Sequence, residues 1–175
     1  MGTIKATNIE PIADNGTVTL GSSGDTFSLG SGVKQSNLNN PSFYAYKSGA
    51  QTISNNTTTK VTFDTELFDS DSTFSSSRFT PGVVGKYLVT AVVSMTNHPS
   101  NKYVAIYPYK NGSQIYSELN VNGTGEDYDT RVQATFIVDL DADDYLEIYS
   151  RHNGDATENT RSGHEVRFMA QRIGT

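Results

Sequence analysis

The feature that most constrains the fold of this chain is the alternation of apolar and polar residues from Arg131 to Leu140. Every second side chain in this segment is apolar, at Val132, Ala134, Phe136, Val138 and Leu140. Successive side chains of a strand point to opposite faces of a sheet, so this spacing predicts a strand with one buried face. No segment of the chain has a sustained helical period. The chain is therefore predicted to be all-β.

Further strands are indicated by shorter alternating or apolar runs. They lie at 43–47, 59–63, 87–95, 102–110, 113–119, 145–151 and 164–173. Asn111-Gly112 is typical of a two-residue hairpin turn, and 55–57 and 141–144 have turn composition. Many short strands separated by turns predict an antiparallel β-sandwich.

The order of landmarks between Phe63 and Val89 points to one type of sandwich. An acidic turn is followed by Phe74, a serine-rich bend, Phe79-Thr80-Pro81, and then Gly85 and a long apolar strand. This order resembles the globular head of the complement first component's q subunit. That head belongs to the tumour-necrosis-factor-like jelly rolls. The resemblance implies a jelly roll that assembles as a homotrimer.

Two departures separate this chain from secreted animal members of that family. Pro81-Gly82 is separated from Gly85-Lys86-Tyr87 by two valines, and a collagen-like repeat with Gly at every third position is absent from the sequence. The chain is more similar to the jelly roll as it occurs in fibres, spikes and head decorations of tailed bacteriophages.

Residues 1–40 have a different texture from the jelly-roll region, 41–175. They are rich in Gly, Ser, Asn and Thr, and Thr17–Ser22 recurs nine residues later as Thr26–Ser31. This segment resembles the intertwined stalks of phage fibres, which predicts a β-repeat arm or trimeric stalk that docks on other virion proteins. The docking residues would be Val18, Leu20, Phe27 and Leu29. A flexible leader is the alternative.

Composition excludes several classes of function. The net charge is −6 and the sequence pI is about 4.9, which disfavours a nucleic-acid partner bound through phosphates. The absence of cysteine excludes thiol chemistry and thiolate metal sites. The sequence contains no apolar run long enough to cross a membrane and no secretory signal. We therefore expect synthesis in the bacterial host cytoplasm, no membrane partner, and a final location on the virion surface.

Aromatic and basic side chains supply the candidate contact residues. Two tyrosine stripes are predicted to fill the trimer interface: Tyr44 and Tyr46, and Tyr103, Tyr107 and Tyr109. A sugar-stacking platform or the sandwich core are the alternatives. The polar loops 97–101, 121–128 and 151–163 are candidates for contact with a partner. Four basic residues there would meet an anionic host glycan: Arg151, His152, Arg161 and His164.

Acidic turns are the candidate metal sites. Calcium prefers carboxylate oxygens, and Asp141, Asp143 and Asp144 form one such turn. Glu126, Asp127 and Asp129 form another, and solvated turns without a metal are the alternative. The three histidines, His98, His152 and His164, have no metal-ligand spacing. We expect no other cofactor.

No catalytic motif occurs in the sequence, so we expect a protein without enzymatic activity. The predicted function is a small head fibre, spike or capsid decoration protein of a tailed phage, with adhesion to host glycans as an additional role. The alternative is the receptor-binding tip of a tail fibre that recognises host carbohydrate.

Overall fold

The computed structural model describes residues 40–116, 119–122 and 128–174, with Thr19, Ser23, Thr26 and Ser31; for 119–122 and 128 it describes the backbone alone. The predicted docking residues Val18, Leu20, Phe27 and Leu29 lie outside the described residues. The chain divides into two units, Met1–Leu38 and Asn39–Thr175, and all of the strands below belong to the second.

The described residues form strands and turns and contain no helix. The first seven strands are β1 (Ser42–Lys47), β2 (Thr52–Ile53), β3 (Thr59–Lys60), β4 (Thr65–Asp69), β5 (Phe74–Ser75), β6 (Arg78–Phe79) and β7 (Gly85–His98). The next seven are β8 (Tyr103–Lys110), β9 (Ser113–Gln114), β10 (Leu119–Asn122), β11 (Tyr128–Leu140), β12 (Leu146–His152), β13 (Glu158–Asn159) and β14 (Gly163–Gly174). Accordingly, the described residues include no helix that is long and apolar enough to span a membrane.

The strands form an antiparallel jelly-roll sandwich, which confirms the predicted fold class. Sheet A has the order β11-β7-β14-β1-β4. Sheet B has the order β10-β8-β12-β6-β5, with β3 beside β12 and β9 beside β8. A short ribbon of β2 and β13 pairs Ile53 with Glu158.

The core fills the space between the inner faces of the two sheets. The alternation predicted for 131–140 is confirmed: Val132, Ala134, Val138 and Leu140 are buried, and Phe136 packs partly buried against the same core. Aromatic rings fill the centre, where Phe43 stacks on Phe74 and Phe79 at centroid distances of 4.6 and 4.8 Å. Phe168 meets the Phe43 ring edge-on at 4.9 Å. The landmark residues Phe74 and Phe79 therefore belong to the core.

Two predicted strands are shorter than the sequence indicates. The hairpin at Asn111-Gly112 is confirmed, with φ of 51° and 76° as the two-residue turn requires, but its return strand β9 has two residues. The strand predicted at 59–63 ends at Lys60. Beyond it, the Phe63 amide donates to Ser77 Oγ and the Phe63 carbonyl accepts from the same hydroxyl, at 2.9 and 3.1 Å. A side chain thus replaces the neighbouring strand.

Candidate functional site

The outer face of sheet A carries five partly exposed apolar side chains, here called the apolar band. Its members are Tyr44, Phe68, Leu88, Ile137 and Met169. Backbone pairing joins Phe68 to Tyr44, Tyr44 to Met169, and Leu88 to Ile137. Met169 pairs with Thr90 and Leu88 with Gln171, so Met169 and Leu88 are diagonal neighbours, and the band runs obliquely from β4 to β11 with polar residues between its two halves. Phe68 is 49% exposed, Leu88 39% and Ile137 52%, so it faces outward.

His164 lies at the edge of the apolar band. Its Nδ1 is 3.0 Å from the Tyr44 hydroxyl, and its ring centroid is 4.4 Å from that of Tyr46. The structure thus places this predicted ligand-binding residue beside two of the predicted trimer-interface tyrosines. Arg161, three residues earlier, pairs with Asp129 at 2.9 Å and with Glu165 at 2.8 Å.

The other three tyrosines lie in sheet B. Tyr107 is buried at 7% exposure, and the Tyr109 ring packs on Tyr149 at 4.2 Å. Tyr103 is half-buried on the same strand, β8. The five predicted interface tyrosines are therefore divided between the two layers and cannot share one face of a protomer. Their place in a trimer interface stays a prediction.

The burial of His152 removes it from the predicted set of ligand-binding residues. Its side chain is fully buried, and its Nε2 donates to the Ile53 carbonyl at 2.9 Å. It cannot contact a partner outside the sandwich, so its assignment to a ligand-binding loop is wrong. Arg151 points the other way and donates to Asn56 Oδ1 at 3.2 Å. The four predicted residues thus do not form one site.

The aspartate turn after β11 is organised by hydrogen bonds within the chain. Asp144 Oδ1 accepts from Asn111 Nδ2, and Asp144 Oδ2 accepts from the Asp141 amide and pairs with Lys110 at 2.6 Å. Burial acts to raise the pKa of Asp144, but these hydrogen bonds and the Lys110 charge lower it overall. Asp141 and Asp143 are exposed. A calcium ion would have to displace Lys110 from Asp144, and calcium binding here stays a prediction.

The structure describes only part of the alternative acidic set, Glu126, Asp127 and Asp129. Glu126 and Asp127 lie outside the described residues, and Asp129 is engaged by Arg161.

Within the described part of the chain, a cluster other than the two acidic turns could hold a metal ion. His98, His152 and Glu158 each place a donor atom within 4.8 Å of the others. His98 Nδ1 is 2.6 Å from Glu158 Oε2, and His152 Nδ1 is 3.4 Å from Glu158 Oε1. Both histidines are fully buried, and the glutamate side chain is 9% exposed. His98 and His152 are far apart along the sequence but are brought together by the fold, whereas His164 lies beside Tyr44 and Tyr46, outside the cluster.

Gly154 makes room for this cluster. A Cβ at this position would overlap Glu158 Oε1 and lie 2.8 Å from Glu158 Cδ and 3.1 Å from His152 Nδ1. The Gly154 amide donates to His152 Nδ1 at 3.2 Å. A larger residue at position 154 would therefore require the Glu158 carboxylate to move.

A second polar cluster lies on the outer face of sheet B. Glu147, with a side chain 5% exposed, accepts from Lys60 at 2.7 Å and from Arg78 at 3.0 Å. Burial acts to raise the pKa of Glu147, but the Lys60 and Arg78 hydrogen bonds and charges lower it overall. Arg78 also covers the Tyr145 ring at 3.8 Å. These contacts join β3, β6 and β12 and have a structural role.

Comparison with known proteins identifies the fold. No protein-family model matches the chain, and no curated protein matches its sequence. The solved globular domain of zebrafish complement 1qA protein is similar, with a TM-score of 0.57, 16% identity, and coverage of 76% of this chain and 96% of that one. Murine APRIL superposes with a TM-score of 0.57 at 9% identity, covering 77% of this chain and 99% of its own. Eiger TNF from S. frugiperda gives 0.53 and 11%, covering 77% and 92%. At these identities the similarity establishes the jelly-roll fold.

Proposed function

We propose that this chain is a non-enzymatic structural module that forms a homotrimer through the apolar band, and that it serves on the surface of a tailed-phage virion. The observation that supports the homotrimer is the apolar band itself. It exposes Phe68, Leu88 and Ile137 on the outer face of sheet A, where burial against a partner removes apolar surface from water.

The surroundings of the band favour further copies of this chain as the occupant. Charges of both signs flank it: Arg131 pairs with Glu165 at 3.2 Å, and Arg161 pairs with Asp129 at 2.9 Å. Apolar side chains with ion pairs of both charge signs nearby suit contact between copies of the same chain. Three copies, rather than two, follow from the resemblance to trimeric jelly-roll heads.

The role on a virion rests on the sequence resemblance to phage fibres and decorations. Residues 1–40 would dock the trimer on capsid or tail proteins. Adhesion to host glycans would then come from loops around the head, with three copies multiplying a weak affinity. Arg151, Arg161 and His164 remain candidates for that contact, whereas buried His152 does not.

Light scattering on the full chain tests the assembly. We expect a mass of about three times the 19.0 kDa chain mass. Leu88→Asp and Ile137→Asp would each place a carboxylate in the buried band and should yield monomers with unchanged circular dichroism. Val84→Asp is the matched control, because Val84 is also an exposed apolar residue, at 59%, but lies outside the band. A wild-type monomer, or trimers in both band variants, would refute the interface.

Mass spectrometry of purified particles of the encoding phage tests the location. We expect the protein in intact virions, and immunogold labelling should place it on heads. Labelling of fibre tips, together with host binding that is lost in Arg161→Ala, would support a tail-fibre tip instead. Absence from purified virions would refute the virion role and leave the trimer untouched.

A further inference from the structure

The hydrogen bonds of His152 define where its proton lies. A backbone carbonyl can only accept, so the proton on Nε2 is donated to Ile53 O at 2.9 Å. A backbone amide can only donate, so His152 Nδ1 accepts from Gly154 N at 3.2 Å. The imidazole is therefore neutral, with an unprotonated Nδ1 near the carboxylate of Glu158.

This arrangement brings two electron-rich atoms together inside the protein. His152 Nδ1 and Glu158 Oε1 are 3.4 Å apart, and Oε1 is buried without a hydrogen-bond donor among the described residues. On the other side, His98 Nδ1 contacts Glu158 Oε2 at 2.6 Å, while the buried His98 Nε2 also has no partner in that part of the chain. An unsatisfied buried acceptor is costly, and a cation bound to Glu158 Oε1 and His152 Nδ1 would remove that cost at Oε1.

The donor set matches a transition-metal ion rather than calcium. Two imidazoles and one carboxylate are a common zinc ligand set, with a fourth position left to water. Zinc bonds of about 2.0–2.1 Å place neighbouring tetrahedral ligands about 3.3 Å apart, close to the Nδ1–Oε1 separation. Metal bonds would replace the contact between His98 Nδ1 and Glu158 Oε2, and His98 would bind as the neutral tautomer that carries its proton on Nε2. Donation of the His152 Nε2 proton to a carbonyl is the usual outer contact of a metal-bound histidine.

We propose that His98, His152 and Glu158 form a buried zinc-binding site. The three ligands come from β7 of sheet A, β12 of sheet B and β13 of the short ribbon. An ion bound to all three joins both layers of the sandwich to the ribbon at one end. The site is distinct from the exposed aspartate turn and independent of trimer formation.

Metal titration of the full chain tests this site directly. The protein is stripped with a chelator and titrated with Co²⁺, whose visible absorption reports tetrahedral coordination, and then with Zn²⁺. We expect one Co²⁺ per chain, displacement by Zn²⁺, and a melting temperature that rises with zinc concentration. Calcium should produce none of these effects. Absence of saturable binding at one ion per chain would overturn the proposal.

Matched variants locate the ion. Glu158→Gln and His98→Gln should each weaken zinc binding at least tenfold, while His164→Gln, which alters an exposed histidine outside the cluster, should bind like wild type. Retained binding in Glu158→Gln, or loss in His164→Gln, would contradict the site. If a cluster variant does not fold, the imidazole ¹⁵N shifts of the wild type decide: zinc should move those of His98 and His152. A response confined to His164 would refute the proposal.

Discussion

Replacement of Gly154 by alanine gives a sharp test of the packing around the histidine cluster in chelator-treated protein. The added methyl group would overlap Glu158 Oε1 and lie 2.8 Å from Glu158 Cδ. The end of an exposed glutamate would move away easily. Here the side chain is 9% exposed and held 2.6 Å from His98 Nδ1, so movement breaks a buried, charge-assisted hydrogen bond.

The magnitude follows from two opposing effects. Loss of a hydrogen bond to a charged group costs about 1.5–3 kcal/mol. Alanine also restricts the unfolded chain, which returns about 0.4–1 kcal/mol. We therefore expect Gly154→Ala to lower the free energy of unfolding by about 1–2 kcal/mol, or the melting temperature by about 2–8 °C for a domain of this size.

Urea unfolding at one fixed protein concentration measures this effect, with Glu158→Ala and the double variant completing a thermodynamic cycle. In the Glu158→Ala background there is no carboxylate to displace, so Gly154→Ala should no longer destabilise the protein, and only the gain of about 0.4–1 kcal/mol from the restricted unfolded chain should remain. An equal cost in both backgrounds would refute the explanation, because the strain would then come from the backbone or from His152.

Two further variants test the interior and the second polar cluster. Phe168→Ala removes a fully buried ring that packs on Phe43 and Phe63, and should lower the free energy of unfolding by about 3–5 kcal/mol; an unchanged urea midpoint would contradict the packing. Glu147→Gln should cost about 1–2 kcal/mol at neutral pH, a value reduced by the partial exposure of Lys60 and Arg78. Since the pKa of Glu147 is lowered in the folded state, its stabilising effect is complete above the ordinary value of about 4.3 and is lost as pH falls through the folded pKa. Urea midpoints of wild type and variant should therefore converge in acid; a constant difference down to pH 2 would contradict this.

Local patterns in the sequence carry much of the fold. The alternation of 131–140 identifies β11 and its inward face, and Asn111-Gly112 identifies a hairpin turn because positive φ is required at both positions. The order of Phe74, Phe79 and Gly85 indicates the jelly roll. By contrast, β2 and β13 have two residues each and form only because the larger sheets hold them together.

The histidine cluster shows why a site is harder to predict than a strand. His152 lies on the same face of β12 as Leu146 and Ile148, so extending the predicted strand by one residue would have placed it inward. His98 could not be found in this way, since strict alternation from Met95 directs it outward. Asn97 has φ of 50°, and the pairing of β7 with β11 shifts register between Tyr128 and Thr130, which turns His98 into the interior.

The position of β14 has a consequence for how the chain reaches its native state. This strand lies between β1 and β7, and its pairing brings Gln171 beside Ser42. Sheet A therefore cannot form from neighbouring hairpins alone, and its centre is completed only when segments distant along the chain meet. Sheets dominated by such distant pairings fold on a time scale of about milliseconds to seconds. During that interval the edges of β1 and β7 are unpaired, and nascent chains of this protein are most exposed to mispairing with one another.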